Sequence, residues 1–309
     1  MTLRVLLVGC GDMAGGYDSG RDPADWPLSH AGALRRHAAF DLVACVDPDE
    51  GTRAAFQDRW GVARGFAALE DIGDEPFDVV VVVSATPAHA DALAWSLDRA
   101  PRLVFCEKPL TDDLDAARRL VDTFETAGVP LAVNFSRTWD TSLDALDDLG
   151  AVLSVGFTYS GSVLNSASHF VDLVARRVGP LEVEWVGEGR PDGGAPFALR
   201  AGDVPIVANV APASRCDVFT VEFQCERGVL RYDDSGFAPS VRRVENHPHH
   251  PGRRALGPAV PIEPGYPPVL MRAYDRIEAH LERGEPLDST GRTALATQTV
   301  CARIMELSA

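Results

Sequence analysis

The sequence lacks three features that would place a chain in a special class. Its six cysteines contain no C-x-x-C pair and follow no regular spacing, which argues against a disulfide framework. No apolar run approaches the length of a membrane span. Basic residues are in deficit, 29 against 45 acidic ones, and the net charge of −16 argues against nucleic acid or an anionic membrane as a partner. We therefore expect a reduced, cytoplasmic protein.

A metal site is not expected either. Three of the eight histidines cluster at residues 247–250, but the prolines beside them indicate a loop. No matching cluster of cysteine, aspartate or histidine is evident elsewhere in the sequence. A solvated loop is therefore the preferred interpretation of this stretch.

The remaining composition is that of an ordinary globular protein. The chain has 309 residues, of which 46% are hydrophobic and 24% charged. It is long enough to form two domains with a sizeable core. Because the hydrophobic pattern changes after Asn134, we predict two domains, residues 1–134 and 135–309.

Residues 1–134 alternate short apolar runs with amphipathic segments. The run at 77–83 is nearly all valine, which is typical of a strand buried on both faces of a parallel sheet. Thr86 and Pro87 then supply a predicted N-cap and first helical residue, and residues 90–97 have helical apolar spacing. The predicted strands cover residues 3–8, 41–46, 77–83, 103–105 and 130–133. This alternation predicts an α/β domain with a doubly wound parallel sheet.

The first strand ends in a glycine-rich turn of the form G-x-G-x-x-A. Gly9 permits the tight turn, Gly11 lets the backbone approach a pyrophosphate, and Ala14 allows close packing of helix on strand. Amides at the start of the following helix, near Asp12 and Met13, would hold the phosphates. The turn alone is weak support, because glycine turns after strands are common. It nevertheless predicts a dinucleotide-binding loop.

The second strand ends in Asp47, where a carboxylate can accept hydrogen bonds from an adenosine ribose. A carboxylate at this place disfavours a 2′-phosphate, so Asp47 favours NAD over NADP. The alternative is that Asp47 only helps to start the helix predicted at 49–60. Asp47 lies well beyond the usual gap of about 20 residues after Gly11. We interpret the excess, residues 15–28, as a loop inserted into the first helix.

The strand at 103–105 leads directly into Glu107-Lys108-Pro109. A lysine at the carboxyl end of a buried strand lies where open α/β sheets bind their ligands. Thr111 then has the character of a helix N-cap, with two acidic residues in the first turn. The alternative interpretation is an ordinary exposed ion pair at a strand end.

The second half of the chain has a different period. Residues 151–159 and 219–225 alternate apolar side chains with smaller or more polar ones, which indicates antiparallel strands. A turn signal at Arg227-Gly228 predicts a further strand at 229–232. Two helices are predicted at 267–283 and 289–307. This half is therefore predicted to be an α+β domain organised on a sheet.

One predicted helix, residues 164–178, carries an unusual polar stripe. Asn165, His169, Asp172 and Arg176 share one face. A polar stripe is usually just the solvated face of a helix. A histidine with an amide and a carboxylate one turn to either side is also what a general base with an orienting partner requires.

Together these motifs resemble the glucose–fructose oxidoreductase, inositol dehydrogenase and MocA family (Gfo/Idh/MocA). Five features carry the resemblance: Gly9-x-Gly11-x-x-Ala14, Asp47, Ala85-Thr86-Pro87, Cys106-Glu107-Lys108-Pro109-Leu110 and Asn165-x-x-x-His169-x-x-Asp172. The resemblance implies a Rossmann domain that binds NAD, with NADP disfavoured, and a second domain with an open mixed sheet, mainly antiparallel. It also implies a homodimer or homotetramer formed through that sheet. The implied substrate is a small polyhydroxylated molecule: a sugar, cyclitol or nucleotide sugar.

The resemblance also implies roles for individual residues. Lys108 would hydrogen-bond the reacting hydroxyl, and His169 would exchange its proton. The implied catalytic group is Lys108, His169, Asn165 and Asp172. The implied cofactor-binding residues are Gly9, Gly11, Asp12, Met13, Ala14, Asp47, Ser84, Ala85, Thr86, Pro87, Glu107, Lys108 and Asn134. The implied substrate-binding residues are Lys108, Arg137, Trp139, Asn165 and His169.

Two departures from the family pattern bear on function. Asn165 stands where the family often has aspartate, and an amide cannot take a proton. Either Asp172 supplies the charge near His169 from one turn later, or the site serves a different substrate. Asp91 stands where many members have histidine, and His89 is the nearby substitute. Two alternative functions stay open. One is NAD-dependent elimination or glycoside cleavage with transient oxidation, and the other is a non-catalytic regulator that binds NAD or a sugar.

Overall fold

The computed structural model describes residues 2–213 and 215–309, which form two compact units. The first unit contains the chain up to Ser136 together with Pro268–Ala296, and the second contains Arg137–Pro267 and the residues from Thr297 onward. The predicted division at residue 134 placed 268–296 in the second domain, and the structure differs there. Periodicity shows that a helix has an apolar face, but it does not show which sheet will bury that face.

The described residues contain the following elements. The strands are β1 Leu3–Val8, β2 Phe40–Val46, β3 Arg64–Phe66, β4 Val79–Val82, β5 Leu103–Glu107, β6 Leu131–Asn134, β7 Val152–Ser160, β8 Glu182–Val186, β9 Phe197–Ala201, β10 Val204–Ala211, β11 Phe219–Cys225, β12 Gly228–Asp233, β13 Ala238–Asn246, β14 Arg254–Leu256 and β15 Val260–Pro261. The helices are α1 His30–Arg36, α2 Glu50–Trp60, α3 His89–Arg99, α4 Leu114–Ala127, α5 Ser168–Val178, α6 Val269–Arg283 and α7 Gly291–Ser308. A π-helical turn covers Val163–Ala167. None of the helices in the described part of the chain is both long and apolar enough to cross a membrane.

The first unit is built on a fully parallel sheet. Among the described residues it has six strands in the order β3-β2-β1-β4-β5-β6. This order confirms the predicted doubly wound sheet, because the chain runs outward from β1 to one edge and then returns to the other side. All four residues of β4 are buried, as its valine run predicts.

Two of the predicted helix starts are wrong. Thr86 lies within a 3₁₀ turn, Thr86–Ala88, and α3 begins only at His89. The N-cap of α4 is Asp113 rather than Thr111, because the Asp113 carboxylate accepts the amide hydrogen of Ala116 at 2.5 Å. Both errors arise because several neighbouring polar residues have the chemistry of a cap and only the backbone path selects one.

The inserted loop in the first helix is confirmed. The amide of His30 donates to the carbonyl of Met13 at 3.0 Å, and the amide of Ala31 donates to that of Ala14 at 2.8 Å. The chain thus re-enters the helix that it left. The Asp18 carboxylate closes the loop by accepting hydrogen bonds from the amides of Leu28 and Ser29.

The second unit is built on a mixed sheet. Its order in the described residues is β14-β13-β12-β11-β7-β10-β9-β8, with β15 paired to β13. β7 and β10 are parallel and the other pairs are antiparallel, which confirms the mainly antiparallel mixed sheet. Its core face packs against α5, where the rings of Phe157 and Phe170 stack at 4.0 Å.

The opposite face of this sheet carries an apolar row. Strand register aligns Trp185, Ala198, Val207 and Gly156 across β8, β9, β10 and β7. Trp185 is 55% exposed and Val207 is 49% exposed. We call these four residues the apolar row.

Candidate active site

The glycine loop after β1 has the backbone geometry of a ligand cradle. Gly9 has a φ of +100°, and a Cβ atom there would lie 2.6 Å from the Cα atom of Ser84. Only glycine fits this position. A Cβ atom on Gly11 would meet no atom of the described residues within 4 Å. The open space beside Gly11 is therefore available to a ligand, and the loop fits a dinucleotide.

Asp47 is half-buried at the carboxyl end of β2. Its Oδ2 atom accepts the amide hydrogen of Cys10 at 2.8 Å, and its Oδ1 atom accepts that of Asp49 at 3.0 Å. The N-cap of α2 is Asp49, whose carboxylate accepts the amide hydrogen of Thr52. Asp47 is therefore not the N-cap, although its bond to the amide of Asp49 lies at the start of α2, and its contact with a ribose stays a prediction. A carboxylate offers about four acceptor sites, so Asp47 can still bind a ribose hydroxyl.

The segment after β4 lies beside the glycine loop. The Oγ atom of Ser84 is buried and has no hydrogen-bond partner among the described residues. Such an atom is uncommon in a folded protein and suits a site where a polar ligand completes the bonding. Ala85, Thr86 and Pro87 follow Ser84 and are half-buried or exposed.

His89 joins the loops that follow β4 and β5. Its Nε2 atom lies 2.9 Å from the carbonyl of Ser84, and its Nδ1 atom lies 2.9 Å from the carbonyl of Pro109. The ring is buried. It therefore ties the loop after β4, at Ser84, to the loop after β5, at Pro109.

Glu107 ends β5 and is the centre of a buried hydrogen-bond group. Its Oε1 atom lies 3.0 Å from Nε2 of His30 and accepts from Nδ2 of Asn134 at 2.7 Å. Burial raises the pKa of the Glu107 carboxyl, but hydrogen bonds from His30 and Asn134 and the charge of Lys108 outweigh burial and hold the pKa below its ordinary value. The alternative of an ordinary exposed ion pair is wrong for Glu107, whose side chain is only 12% exposed.

The structure shows that Asn134 is a partner of Glu107. Asn134 is buried at the end of β6, paired in register with Glu107. Its predicted contact with the cofactor remains a prediction, whereas its contact with Glu107 is observed. Sequence reasoning missed His30 as the other partner of Glu107, because the inserted loop separates it from the glycine motif.

The second unit contains a polar pocket of about 250 Å³. Three of the predicted substrate-binding residues, Arg137, Asn165 and His169, line it together. Its other lining residues are Ser160, Ser166, Asp217, Val218, Phe219 and Ser235. These were missed, because they come from separate strands and loops and share no motif.

Arg137 is held by aromatic rings at this pocket. Its guanidinium carbon lies 4.4 Å from the ring centre of Phe219 and 4.8 Å from that of Tyr266. Stacking of this kind fixes the planar group and keeps its charge. Trp139 is buried and is not among the residues that line this pocket, so its contact with substrate stays a prediction.

A π-helical turn places Asn165 at the pocket. Residues 164–178 were predicted as one α-helix, but Val163–Ala167 form a π turn and α5 begins at Ser168. The Ser162 hydroxyl caps the turn by accepting the amide hydrogen of Asn165 at 3.1 Å. π turns are rare and occur often at functional sites. Periodicity of the sequence carries no signal that separates such a turn from an ordinary helix.

Asp172 has different partners from those expected. Its carboxylate accepts two hydrogen bonds from Arg176, at 2.7 and 2.9 Å, and further bonds from Thr138 and Thr297. Burial raises the pKa of the Asp172 carboxyl, and these donors oppose that effect. The ion-pair partner of Asp172 is therefore Arg176, and the expected supply of charge to His169 stays a prediction. Arg176, one turn further along α5, takes the carboxylate because it offers a bidentate match.

No group of three or more potential metal ligands occurs in the part of the chain that the structure describes. The histidines at 247–250 lie in an exposed loop, where the Nδ1 atom of His247 accepts the amide hydrogens of His249 and His250.

Known proteins resemble this chain in sequence and fold. Residues 3–135 match the model of an oxidoreductase family with an NAD-binding Rossmann fold, GFO_IDH_MocA. Inositol 2-dehydrogenase of Rhizobium meliloti (strain 1021) is 32% identical over 136 residues, which is 42% of this chain and 40% of that protein. Inositol 2-dehydrogenase of Corynebacterium glutamicum (strain R) is 28% identical over 207 residues, 60% of this chain and 58% of that protein. The aligned regions thus cover between 40% and 58% of the length of these two relatives.

The fold is also that of solved oxidoreductase structures. A structure of an oxidoreductase from Agrobacterium radiobacter, in complex with NAD+, L-tartaric acid and magnesium, aligns with a TM-score of 0.77. The alignment covers 100% of this chain and 96% of the other at 17% identity, so it speaks for the fold alone. The Rossmann region of this chain, residues 3–135, thus matches the Gfo/Idh/MocA oxidoreductase family, and the motifs identified in the sequence agree with that match.

Proposed function

We propose that this protein is an NAD-dependent oxidoreductase that acts on a secondary hydroxyl, or the corresponding ketone, of a polyhydroxylated small molecule. The substrate class comprises sugars, cyclitols and nucleotide sugars. The match of residues 3–135 to the oxidoreductase family supports an oxidoreductase, and the similarity to two inositol 2-dehydrogenases supports a cyclic polyol.

The observation that carries the proposal is the placement of Lys108. It is the only lysine in the sequence, and the other 28 basic residues are arginines. It follows the buried Glu107 at the carboxyl edge of the parallel sheet, the edge where such sheets bind ligands. Lysine, unlike arginine, can lose its charge and take part in proton chemistry, so this position differs chemically from every arginine in the chain.

The cofactor is proposed to bind at the carboxyl edge of the first sheet. The glycine loop would hold the pyrophosphate and Asp47 the adenosine ribose, with Ser84–Pro87, Glu107 and Asn134 toward the nicotinamide. The carboxylate of Asp47 favours NAD over NADP, because a 2′-phosphate beside it would be repelled. When bound, the nicotinamide supplies the hydride acceptor or donor.

The chain's own residues position the substrate and move the proton. Lys108 is proposed to hydrogen-bond the reacting hydroxyl, and His169 to take its proton during oxidation and return it during reduction. Asn165 can orient a second hydroxyl, because an amide both donates and accepts. Arg137, held over its aromatic rings, is proposed to fix a further oxygen of the substrate.

Turnover of a substrate panel tests the proposal. Purified protein is incubated with NAD or NADP and with inositols, sugars or nucleotide sugars, and NADH formation is followed by absorbance. Replacing Lys108 with methionine removes the amine and keeps the chain length, so we expect a loss of kcat of about 10²–10⁴-fold with NAD affinity nearly unchanged. Arg118→Met, which removes an exposed cation paired to Asp115 on α4, is the matched control. Wild-type turnover by Lys108→Met would contradict the mechanism.

The same panel separates the two alternative functions. Elimination or glycoside cleavage with transient oxidation would consume substrate without net NADH. A non-catalytic regulator would bind NAD or a sugar in calorimetry and consume nothing. Both alternatives predict binding, so product analysis by chromatography is required beside absorbance.

We also propose that the chain forms a homodimer or homotetramer through the second sheet. The apolar row, Trp185, Ala198, Val207 and Gly156, supplies a flat apolar stripe for the interface. Stable interfaces of this kind have an apolar centre with a polar rim. Glu222 and Arg231 continue the row across β11 and β12 and would provide part of that rim.

A further inference from the structure

Three side chains form a buried hydrogen-bond chain behind Lys108. The Nε2 atom of His30 lies 3.0 Å from Oε1 of Glu107, and the Nδ1 atom of His30 lies 2.8 Å from the hydroxyl of Tyr274. The three residues come from α1, β5 and α6. They are far apart in sequence, so this arrangement exists only in the folded first unit.

The chemistry of the two ends fixes the proton on the imidazole. An ionised carboxylate only accepts hydrogen bonds, so Nε2 of His30 must carry a hydrogen that it donates to Glu107. In the neutral ring Nδ1 is then an acceptor, and the Tyr274 hydroxyl can donate to it. The Tyr274 hydroxyl is therefore compatible with the tautomer in which His30 donates to Glu107.

The His30–Tyr274 end of this hydrogen-bonded group is closed off from water. His30 and Tyr274 are both 0% exposed. The His30 ring has edge-on contacts with Phe105 at 5.3 Å and with Tyr274 at 5.9 Å, and Phe40 packs on Tyr274 at 5.2 Å. A phenylalanine would fill the place of Tyr274 without a polar atom to satisfy. The buried hydroxyl therefore needs a reason beyond packing.

Glu107 connects this chain to Lys108. The other carboxylate oxygen, Oε2, lies 3.3 Å from the backbone amide of Lys108. Glu107 thus acts on Lys108 in two ways. It accepts a hydrogen bond from the backbone amide of Lys108, and its negative charge attracts the Lys108 amine. Any group that fixes Glu107 also fixes the local field at Lys108.

We propose that His30 and Tyr274 are positioning residues for Lys108: they hold the Glu107 carboxylate in place, so that it sets the orientation and charge state of the lysine amine. This inference rests on the proposed function, because the orientation and charge state of Lys108 matter for catalysis. Neither residue contacts the reacting atoms in this scheme. Each acts through Glu107.

The single lysine allows a test that requires no substrate. Acetylation of Lys108 by an amine-selective reagent is followed by mass spectrometry of the peptide that contains it. A nearby carboxylate favours the protonated amine, which does not react. Glu107→Gln removes that charge, and we expect acetylation about tenfold faster. His30→Ala removes one of the two side-chain donors to Oε1 of Glu107 and leaves Asn134 as the other, and we expect a change in the same direction of about threefold or more.

Conservative variants test positioning against simple destabilisation. His30→Gln keeps a donor near the place of Nε2, so it should restore acetylation toward the wild-type rate. Tyr274→Phe keeps the ring and should give an intermediate rate. Tyr159→Phe is the control, since it removes another buried phenol, one that bonds only to the backbone of Ala195 in the second unit. In turnover assays, His30→Ala should lower kcat by about 10- to 100-fold, and the KM for NAD should stay nearly constant.

Two results would overturn the proposal. One is a folded His30→Ala variant, shown by circular dichroism, that acetylates at the wild-type rate while Glu107→Gln reacts faster. The other is a Glu107→Gln variant that reacts at the wild-type rate, since Glu107 would then have no influence on the amine. Acetylation is measured without substrate or cofactor. Failure of the polyol panel would therefore contradict the proposed function and leave this test intact.

Discussion

The backbone amide of Cys10 donates a hydrogen bond to Oδ2 of Asp47 across 2.8 Å. This bond joins the glycine loop after β1 to the acidic residue after β2. The two parts of the proposed nucleotide site are thus held at a fixed separation by the protein itself. A ligand that spans both parts meets a site that is already assembled, which lowers the ordering cost of binding.

Gly9 and Gly11 should respond in opposite ways to alanine. Gly9→Ala forces a Cβ atom to within 2.6 Å of Ser84 at a φ of +100°, so we expect a loss of about 2–4 kcal/mol in the free energy of unfolding. Gly11→Ala meets no protein atom, so stability should be nearly unchanged while NAD affinity falls by about tenfold or more. Denaturant titration and calorimetry measure the two effects. A stable Gly11→Ala variant with wild-type affinity would show that the pyrophosphate does not approach there.

Asp47→Ser should reduce the preference for NAD. The serine hydroxyl can still bond to a ribose but carries no charge to repel a 2′-phosphate. We expect the ratio of kcat/KM for NAD over NADP to fall by about tenfold or more, equivalent to about 1.4 kcal/mol. Asp49→Ser, which changes the neighbouring cap of α2, is the matched control. An unchanged ratio in Asp47→Ser would place cofactor discrimination at another residue.

Glu107→Gln should weaken the fold in a pH-dependent manner. The pKa of Glu107 is lowered in the folded protein, so the ionised carboxylate contributes stability above its ordinary pKa. That contribution is lost as the pH falls through the lowered folded value. We expect wild type to exceed Glu107→Gln by about 1–3 kcal/mol at neutral pH and the difference to shrink in acid. Urea unfolding across this range measures it.

A control variant separates this effect from general loss of acidic charge. Glu125 is exposed and pairs with Arg292 on the surface, so Glu125→Gln should leave stability nearly unchanged at every pH. If Glu107→Gln showed a constant deficit at all pH values, the loss would come from shape rather than from charge.

Val207→Arg should break the proposed oligomer. It places a charge in the middle of the apolar row, where burial against a second copy would leave the guanidinium unpaired. Leu28→Arg is the control, because Leu28 is also an exposed large apolar residue, at 39%, but it lies in the inserted loop of the first unit and not on the second sheet. Sedimentation velocity should show a smaller species for Val207→Arg only. Equal sedimentation of wild type and both variants would exclude this face as the interface.

Much of the fold was accessible from the sequence because burial leaves a periodic pattern. The valine run of β4 indicates a strand buried on both faces, and the alternation in β7 and β11 indicates strands buried on one face. These patterns were sufficient to predict the two kinds of sheet. The strand β3 was missed, since three residues are too few to show a period. The parallel pairing of β7 with β10 was also missed, because the pattern of one strand contains nothing about its neighbour.

The site was predictable where chemistry is tied to a local motif. Gly9, Asp47 and Glu107 lie at strand ends, where the sequence places them. His30 and Asp217 were not predictable as site residues, because they lie outside the motifs and meet the other residues only in the folded chain. The pair of Asp172 and Arg176 lies within α5, at a spacing that the sequence already shows. A motif gives the chemistry of a residue, but only the folded chain gives its partner.

The inserted loop has one more consequence. Its two ends are joined by backbone hydrogen bonds from His30 to Met13 and from Ala31 to Ala14, so the helix continues in space as if residues 15–28 had been spliced out. The register of His30 toward Glu107 is therefore set by Met13 and Ala14 and not by the number of residues in the loop. We therefore expect the loop to accept an inserted peptide tag without displacing His30, provided that the bonds from Leu28 and Ser29 to Asp18 are kept.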